Sequence, residues 1–131
     1  MLISLAFMLS VNLAELPALA AEVETEARAL TAQTQVTPAL IAGIENLSAD
    51  SERLSDALRD AAIEQDLPSI FEGIAADARE RVAELQAADT GAEREAALAN
   101  LRVLLEDAIL IAPLAAGAAA DMAQTRKVAL R

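Results

Sequence analysis

The sequence predicts an all-α protein, an antiparallel up-and-down helical bundle of about four helices with proline kinks. Strong helix formers dominate the chain, and alanine alone accounts for 33 of its 131 residues. Aromatic residues make up only 2%, β-branched residues are sparse, and no alternating strand pattern occurs. Apolar residues instead recur every three or four positions, which is the spacing of one face of a helix. The length is that of one ordinary domain with a modest core.

The first fourteen residues are an apolar segment, which we separate from a bundle domain at 15–131. They contain no basic residue, whereas a signal peptide begins with a basic region. Ala18 and Ala20, in Ala18-Leu19-Ala20 before Ala21, are the small residues that would suit signal-peptide cleavage. The run before Glu15 is shorter than the about 20 apolar residues that span a bilayer. Residues 1–14 are therefore a signal or membrane-anchor remnant, or alternatively a buried core helix.

The first half of the domain carries two helical patterns separated by a break. The first helix is expected to open at Pro17, because proline fits the first turn of a helix. Its apolar stripe comprises Leu16, Leu19, Val23, Ala27 and Leu30. Thr37-Pro38 predicts a break and a new helix start. Residues 48–51, Ser-Ala-Asp-Ser, predict a loop or corner, because their side chains can cap free N–H groups.

The third helix is expected to open at Asp66-Leu67-Pro68, where it begins the clearest apolar stripe of the chain. That stripe comprises Ile70, Ile74, Ala78, Val82 and Leu85. On the polar side, Asp77 and Arg81 are spaced as an i,i+4 ion pair. This helix repeats the opening of the first, Glu15-Leu16-Pro17, fifty-one residues later. The sequence thus suggests a duplicated helical hairpin, with chance similarity between Ala/Glu/Arg/Leu-rich helices as the alternative.

The fourth helix is expected to begin near Gly91. Thr90 and Glu93 have the spacing of a capping box, in which each side chain satisfies a backbone N–H of the other. Residues 108–120 are apolar all round, and Pro113 predicts a kink there. This run is too short to cross a bilayer, so we expect it to be buried core.

Charge and composition exclude several functions. The net charge of −11 and the pI of about 4.3 argue against a nucleic-acid partner, which requires clustered Lys and Arg. Without Cys or His the chain has no thiolate or imidazole for zinc, haem or a catalytic triad. Neighbouring carboxylates such as Glu106 and Asp107 do not face one another on a helix. We therefore predict no enzyme activity, no cofactor, and no catalytic or metal-binding residue.

Only the arginines are candidates for a ligand site. Arg28, Arg53 and Arg79 could meet an anionic ligand, although a solvated surface is the simpler interpretation of each. No other ligand-binding residue is predicted from the sequence.

Three short motifs carry a family resemblance: Leu16-Pro17-Ala18-Leu19, Thr37-Pro38-Ala39-Leu40 and the Ala-Glu-Arg start at residues 92–98. With them the chain resembles the helical bimodular sensor domains of bacterial receptors, over roughly residues 16–112. That family includes periplasmic regions of trimethylamine-oxide-type sensor histidine kinases and some chemoreceptors. The chain departs from it in having no kinase or signalling domain and no complete pair of flanking membrane spans.

The resemblance implies an extracytoplasmic sensory or ligand-binding bundle of a bacterial signal-transduction receptor, isolated or truncated. The expected location is periplasmic or inner-membrane-associated, through residues 1–14, and the alternative is cytoplasmic. The alternative function is a small structural or partner-binding helical protein that completes a bundle in an oligomer or larger complex. The expected partners are a second copy, partner helices or a small-molecule ligand.

Overall fold

The computed structural model describes residues 2–63 and 66–129, with side chains from Leu13 onward. The helices it contains are α1 (Leu2–Thr31), α2 (Pro38–Asp60), α3 (Leu67–Ala87) and α4 (Gly91–Ala129). Helix α1 packs mainly against α4 and α2, and α3 packs mainly against α2 and α4. This arrangement confirms the predicted all-α up-and-down bundle.

One core runs along the bundle axis, and all four helices contribute to it. Its largest fully buried apolar side chains are Phe71, Leu16, Leu40, Ile44, Leu47, Leu54, Leu58, Leu105 and Val23. Much of the remaining core is alanine on α1, α3 and α4. Small side chains let the helix backbones approach closely: a Cβ on Gly43 of α2 would lie 2.6 Å from Leu30 Cδ2 of α1.

Two threonines start helices, as predicted. The Leu40 N–H donates to Thr37 Oγ1 at 3.1 Å, which caps α2. The Glu93 N–H donates to Thr90 Oγ1 at 3.1 Å. In return the Glu93 carboxylate accepts from the Asp89 N–H at 3.0 Å, so the capping box at α4 closes one residue earlier than predicted.

The predicted helix start at Pro17 is wrong. Helix α1 begins at Leu2 and runs through Pro17, which lies exposed. Leu13, Leu16 and Ala20 are buried on one face on both sides of the proline. Packing of this continuous face offsets the missing backbone hydrogen bond at Pro17. Since Pro68 does stand in the first turn of α3, the two Leu-Pro motifs are not equivalent in the structure.

The predicted corner at residues 48–51 is also wrong, because α2 continues through it. Within α2 the hydroxyls of Ser48 and Ser55 bond across to α3 instead of capping a helix end, whereas the buried Ser51 hydroxyl has no hydrogen-bond partner in the described part of the chain. Ser48 Oγ donates to the Ala75 carbonyl at 2.8 Å, and Ser55 Oγ, one turn after the predicted corner, donates to the Pro68 carbonyl at 2.7 Å. Buried hydroxyls with carbonyl partners join α2 and α3 at close range.

Helix α3 follows the predicted stripe with one exception. Ile74, Val82 and Leu85 are buried, but Ile70 is 36% exposed at the outer edge of the first turn. The predicted Asp77–Arg81 pair does not form either. Arg81 instead lies 3.2 Å from Glu84 and 3.5 Å from Glu80.

The prediction of a fully buried run at 108–120 holds for only one face of α4. Ala108, Ala112, Ala115 and Ala119 are buried, whereas Leu110 is 72% exposed. Each helix of a four-helix ring has two neighbours, so its outer side remains on the surface. The helix continues through Pro113. The division at residue 14 stays a prediction.

Candidate functional site

Three carboxylates meet at the contact between α1 and α2. Glu22 and Glu26 lie one turn apart on α1, and Asp50 projects from α2. An oxygen of each lies within 4.8 Å of the others. Asp50 is buried and Glu26 is half-buried, with its Oε2 shielded from solvent and lacking a hydrogen-bond donor in the described part of the chain. We call these three residues the carboxylate cluster.

The cluster favours a proton on Glu26. Burial, the hydrogen bond that a protonated Glu26 can donate to Asp50, and the negative charges of Asp50 and Glu22 raise the pKa of Glu26 from 4.5 to about 8, while Arg53 acts in the opposite direction. Arg53 Nη1 donates to Asp50 Oδ1 at 3.2 Å, which places one positive charge beside the cluster. Glu26 therefore retains its proton at neutral pH.

Three carboxylate oxygens are also hard ligands of the kind that calcium and magnesium prefer, so these are the residues that could hold a cation. Calcium takes six to eight oxygen ligands, however, and each of these residues offers one. Arg53 already occupies one oxygen of Asp50. The arrangement suits a shared proton better than a metal ion.

The three arginines considered for an anionic ligand are each paired with a carboxylate of the chain itself. Arg28 lies 3.0 Å from Glu24, and Arg79 lies 3.4 Å from Glu52 of α2. Arg53 is held by Asp50, as described above. Their charges are thus partly neutralised within the chain. The Glu24–Arg28 contact has the i,i+4 spacing that the sequence shows.

A second feature lies on the outside of α4. Val103, Asp107, Leu110, Leu114, Gly117 and Asp121 are all exposed and follow one another at alternating intervals of four and three residues. This is the spacing of the contact positions along two packed helices. We call these six residues the α4 outer seam. Val103 and Leu114 are each 60% exposed, and Leu110 is the most exposed large apolar side chain described.

Beyond Asp121 the seam leads into a shallow groove lined by Thr125 and Val128, among others. Helix α4 is also long and apolar enough to cross a membrane by length and composition. Its most apolar eighteen residues have a mean hydropathy of 1.8, and 33% of them are buried. Core helices of soluble proteins have the same properties, so this is weak support for a membrane location.

The sequence contained partial signals for both features. Glu22 and Glu26 share a helical face next to the buried Val23, but Asp50 is twenty-four residues further along the chain. The cluster therefore depends on the packing of α1 against α2. The outer seam was hidden because residues 108–120 are apolar on every side, so that periodicity cannot tell an inner face from an outer one.

Comparison with known proteins adds no assignment. No family model, no curated protein and no solved structure matches the chain.

Proposed function

We propose that this protein is a non-enzymatic helical interaction module, in which the α4 outer seam packs against an apolar surface of another molecule. The observation that carries the proposal is the exposure of Val103, Leu110 and Leu114 at contact-position spacing along one helix. The function corresponds to the partner-binding alternative of the sequence analysis.

The exposed seam is unlike the outer face of α2. On α2 the outward positions include Glu45, Glu52 and Asp56, as expected for a surface helix. On α4 the corresponding central positions are Leu110 and Leu114. Fully burying a Leu or Val side chain stabilises a complex by about 1.5–3 kcal/mol, so three such residues are a substantial source of affinity.

Gly117 supports the same conclusion. A Cβ added there would meet no other atom within 4 Å, so nothing inside the described chain requires glycine. Glycine inside a helix costs about 1 kcal/mol relative to alanine. A partner that approaches the α4 backbone closely at Gly117 would account for this residue.

The test compares the wild type with the double variant Leu110→Ser/Leu114→Ser. Both side chains are exposed, so the bundle should fold unchanged. Association is measured in three ways: light scattering over a range of protein concentrations, flotation with vesicles of phosphatidylcholine with or without one quarter phosphatidylglycerol, and binding to a synthetic amphipathic helix. Association in at least one assay that the double variant loses supports the proposal. If the wild type associates in none of them, the proposal is wrong.

A second candidate is the extracytoplasmic sensory bundle that the family resemblance implies. The observation in its favour is the carboxylate cluster, because ionisation of Glu26 would place a second negative charge beside Asp50 at the α1–α2 contact. Small shifts between packed helices are a known means of signal transmission. Amide hydrogen exchange of α1 and α2 on either side of pH 8, in the wild type and Glu26→Gln, tests it. A pH response that is identical in both would contradict this candidate.

Location is tested separately. Fusion of the chain to alkaline phosphatase, which is active only outside the cytoplasm, should give an active reporter in a bacterial host if the protein is periplasmic. A cytoplasmic protein would give an inactive fusion.

A further inference from the structure

Resting on the proposed function, we propose that the α4 outer seam binds a basic amphipathic helix from a different molecule. The partner helix presents apolar residues to Leu110 and Leu114. It carries two Lys or Arg residues fourteen positions apart, which face Asp107 and Asp121. The inference concerns the chemistry of the partner, which the proposed function leaves open.

Within the described residues, the acidic side chains of the seam form no ion pair. Asp107 and Asp121 are exposed, as is the adjacent Glu106, and none of the three forms an ion pair within residues 13–63 and 66–129. Arg126, the nearest arginine after the seam, donates instead to the Ala61 carbonyl at 3.1 Å. A partner that covers the seam would desolvate Asp107 and Asp121 and must supply positive charge to offset that cost.

A second copy of this chain is a poor match for the seam. In a parallel pair of α4 helices, Asp107 would face the same residue of the copy. In the antiparallel pair that aligns the seam with itself, Leu110 faces Leu114 of the copy, while Asp107 faces Gly117 and Asp121 faces Val103, so neither carboxylate meets a cation. The parallel pair places like charges together, and the antiparallel pair covers both aspartates without supplying a positive charge. In either case the two chains, each with a net charge of −11, repel one another.

A lipid surface is also a poor match. Two carboxylates within the seam would have to enter the hydrocarbon, which is costly for Asp. Anionic headgroups would in addition be repelled by the acidic chain. A basic amphipathic helix offers apolar side chains to the leucines of the seam and positive charges to its carboxylates.

The spacing defines the partner further. Asp107 and Asp121 are fourteen residues apart, which is two heptads and about 21 Å along the helix. A helix packed lengthwise on α4 meets both carboxylates only if its own cations have that spacing. Gly117, with no atom near its Cβ position, lets the partner backbone approach between Leu114 and Asp121.

The experiment uses two synthetic helices of about 25 residues that differ only in charge. Both have Leu at the contact positions, Ala and Gln elsewhere, and one Trp. The first has Lys at two contact positions fourteen residues apart, and the second has Glu there. Since the protein contains no Trp and no Tyr, the fluorescence anisotropy of the peptide Trp reports binding without background.

We expect the Lys peptide to bind the wild type and to lose about tenfold in affinity for Asp107→Asn/Asp121→Asn. The matched control, Glu45→Gln/Asp77→Asn, removes two exposed acidic charges elsewhere and should bind like the wild type. The charge-reversed variant Asp107→Lys/Asp121→Lys should instead prefer the Glu peptide by about tenfold.

Four results would overturn the inference. Equal loss of affinity in the control variant would indicate non-specific attraction to an acidic protein. Peptide binding that survives Leu110→Ser/Leu114→Ser would place the contact elsewhere. Self-association or vesicle binding without peptide binding would contradict a basic helix as the partner but would still support the proposed function, with another molecule on the seam. If the protein shows no association of any kind, both the inference and the proposed function are wrong.

Discussion

Replacing Glu26 by Gln should stabilise the protein at alkaline pH and change how its stability depends on pH. The folded pKa of Glu26 is raised from 4.5 to about 8, so between these values the folded chain holds a proton that the unfolded chain has lost. The contribution of Glu26 to the free energy of unfolding of the protein therefore falls as pH rises from about 4.5 to 8. Glutamine keeps an N–H donor for Asp50 but cannot ionise. The free energy of unfolding of the variant therefore does not fall in this way as pH rises.

The cluster is open to water on the side of Glu22, which reduces the effect through solvent screening. We expect Glu26→Gln to be more stable than the wild type by about 1–2 kcal/mol at pH 8.5 and nearly equal to it near pH 4.5. Urea denaturation followed by circular dichroism, at several pH values between these limits, measures the difference. Glu22→Gln, which removes an exposed charge of the same cluster, is the control and should retain the pH dependence. Parallel curves for the wild type and Glu26→Gln would refute the reasoning.

The remaining predictions concern packing, capping and helix propensity, and all are measured as the free energy of unfolding in urea. Ile74→Ala should cost about 2–4 kcal/mol and Ile70→Ala less than about 1 kcal/mol, because only Ile74 is fully inside the core; equal costs would contradict the burial pattern of α3. Thr37→Ala should cost about 1 kcal/mol through loss of the α2 cap, and no change would mean that the cap is dispensable. Gly73→Ala and Gly117→Ala should each stabilise the isolated chain by about 0.5–1 kcal/mol, since neither added methyl group meets another atom. Only Gly117→Ala should also weaken binding of the Lys peptide, and a similar loss in Gly73→Ala would argue against close approach at the seam.

The two wrong predictions of helix ends have a common cause. Pro17 and the serines of residues 48–51 were interpreted from local backbone preferences. In the structure both lie inside long helices whose buried faces continue on either side. Where a continuous apolar face packs against neighbouring helices, burial outweighs a local preference of about 1–3 kcal/mol. Thr37 and Thr90 were interpreted correctly because no such face crosses them.

The sequence by itself determined the helical class, the approximate number of helices and most of the core. These features depend on the backbone hydrogen bonds and the 3.6-residue apolar periodicity of a helix, and both are properties of short segments of the chain. Ile74 and Leu85 could be assigned to the core in this way, since both lie on the single apolar stripe of α3, and the other positions of that helix include Asp77, Glu80 and Glu84. Tertiary structure alone decided which side of α4 lies outward and which carboxylates meet. Leu110 and Ala112 are both apolar and lie in the same apolar run, and only the positions of α1 and α3 leave the larger side chain exposed and the smaller one buried. Glu26 acquires its raised pKa from a residue on another helix, because desolvation and charge repulsion act through space and not along the chain.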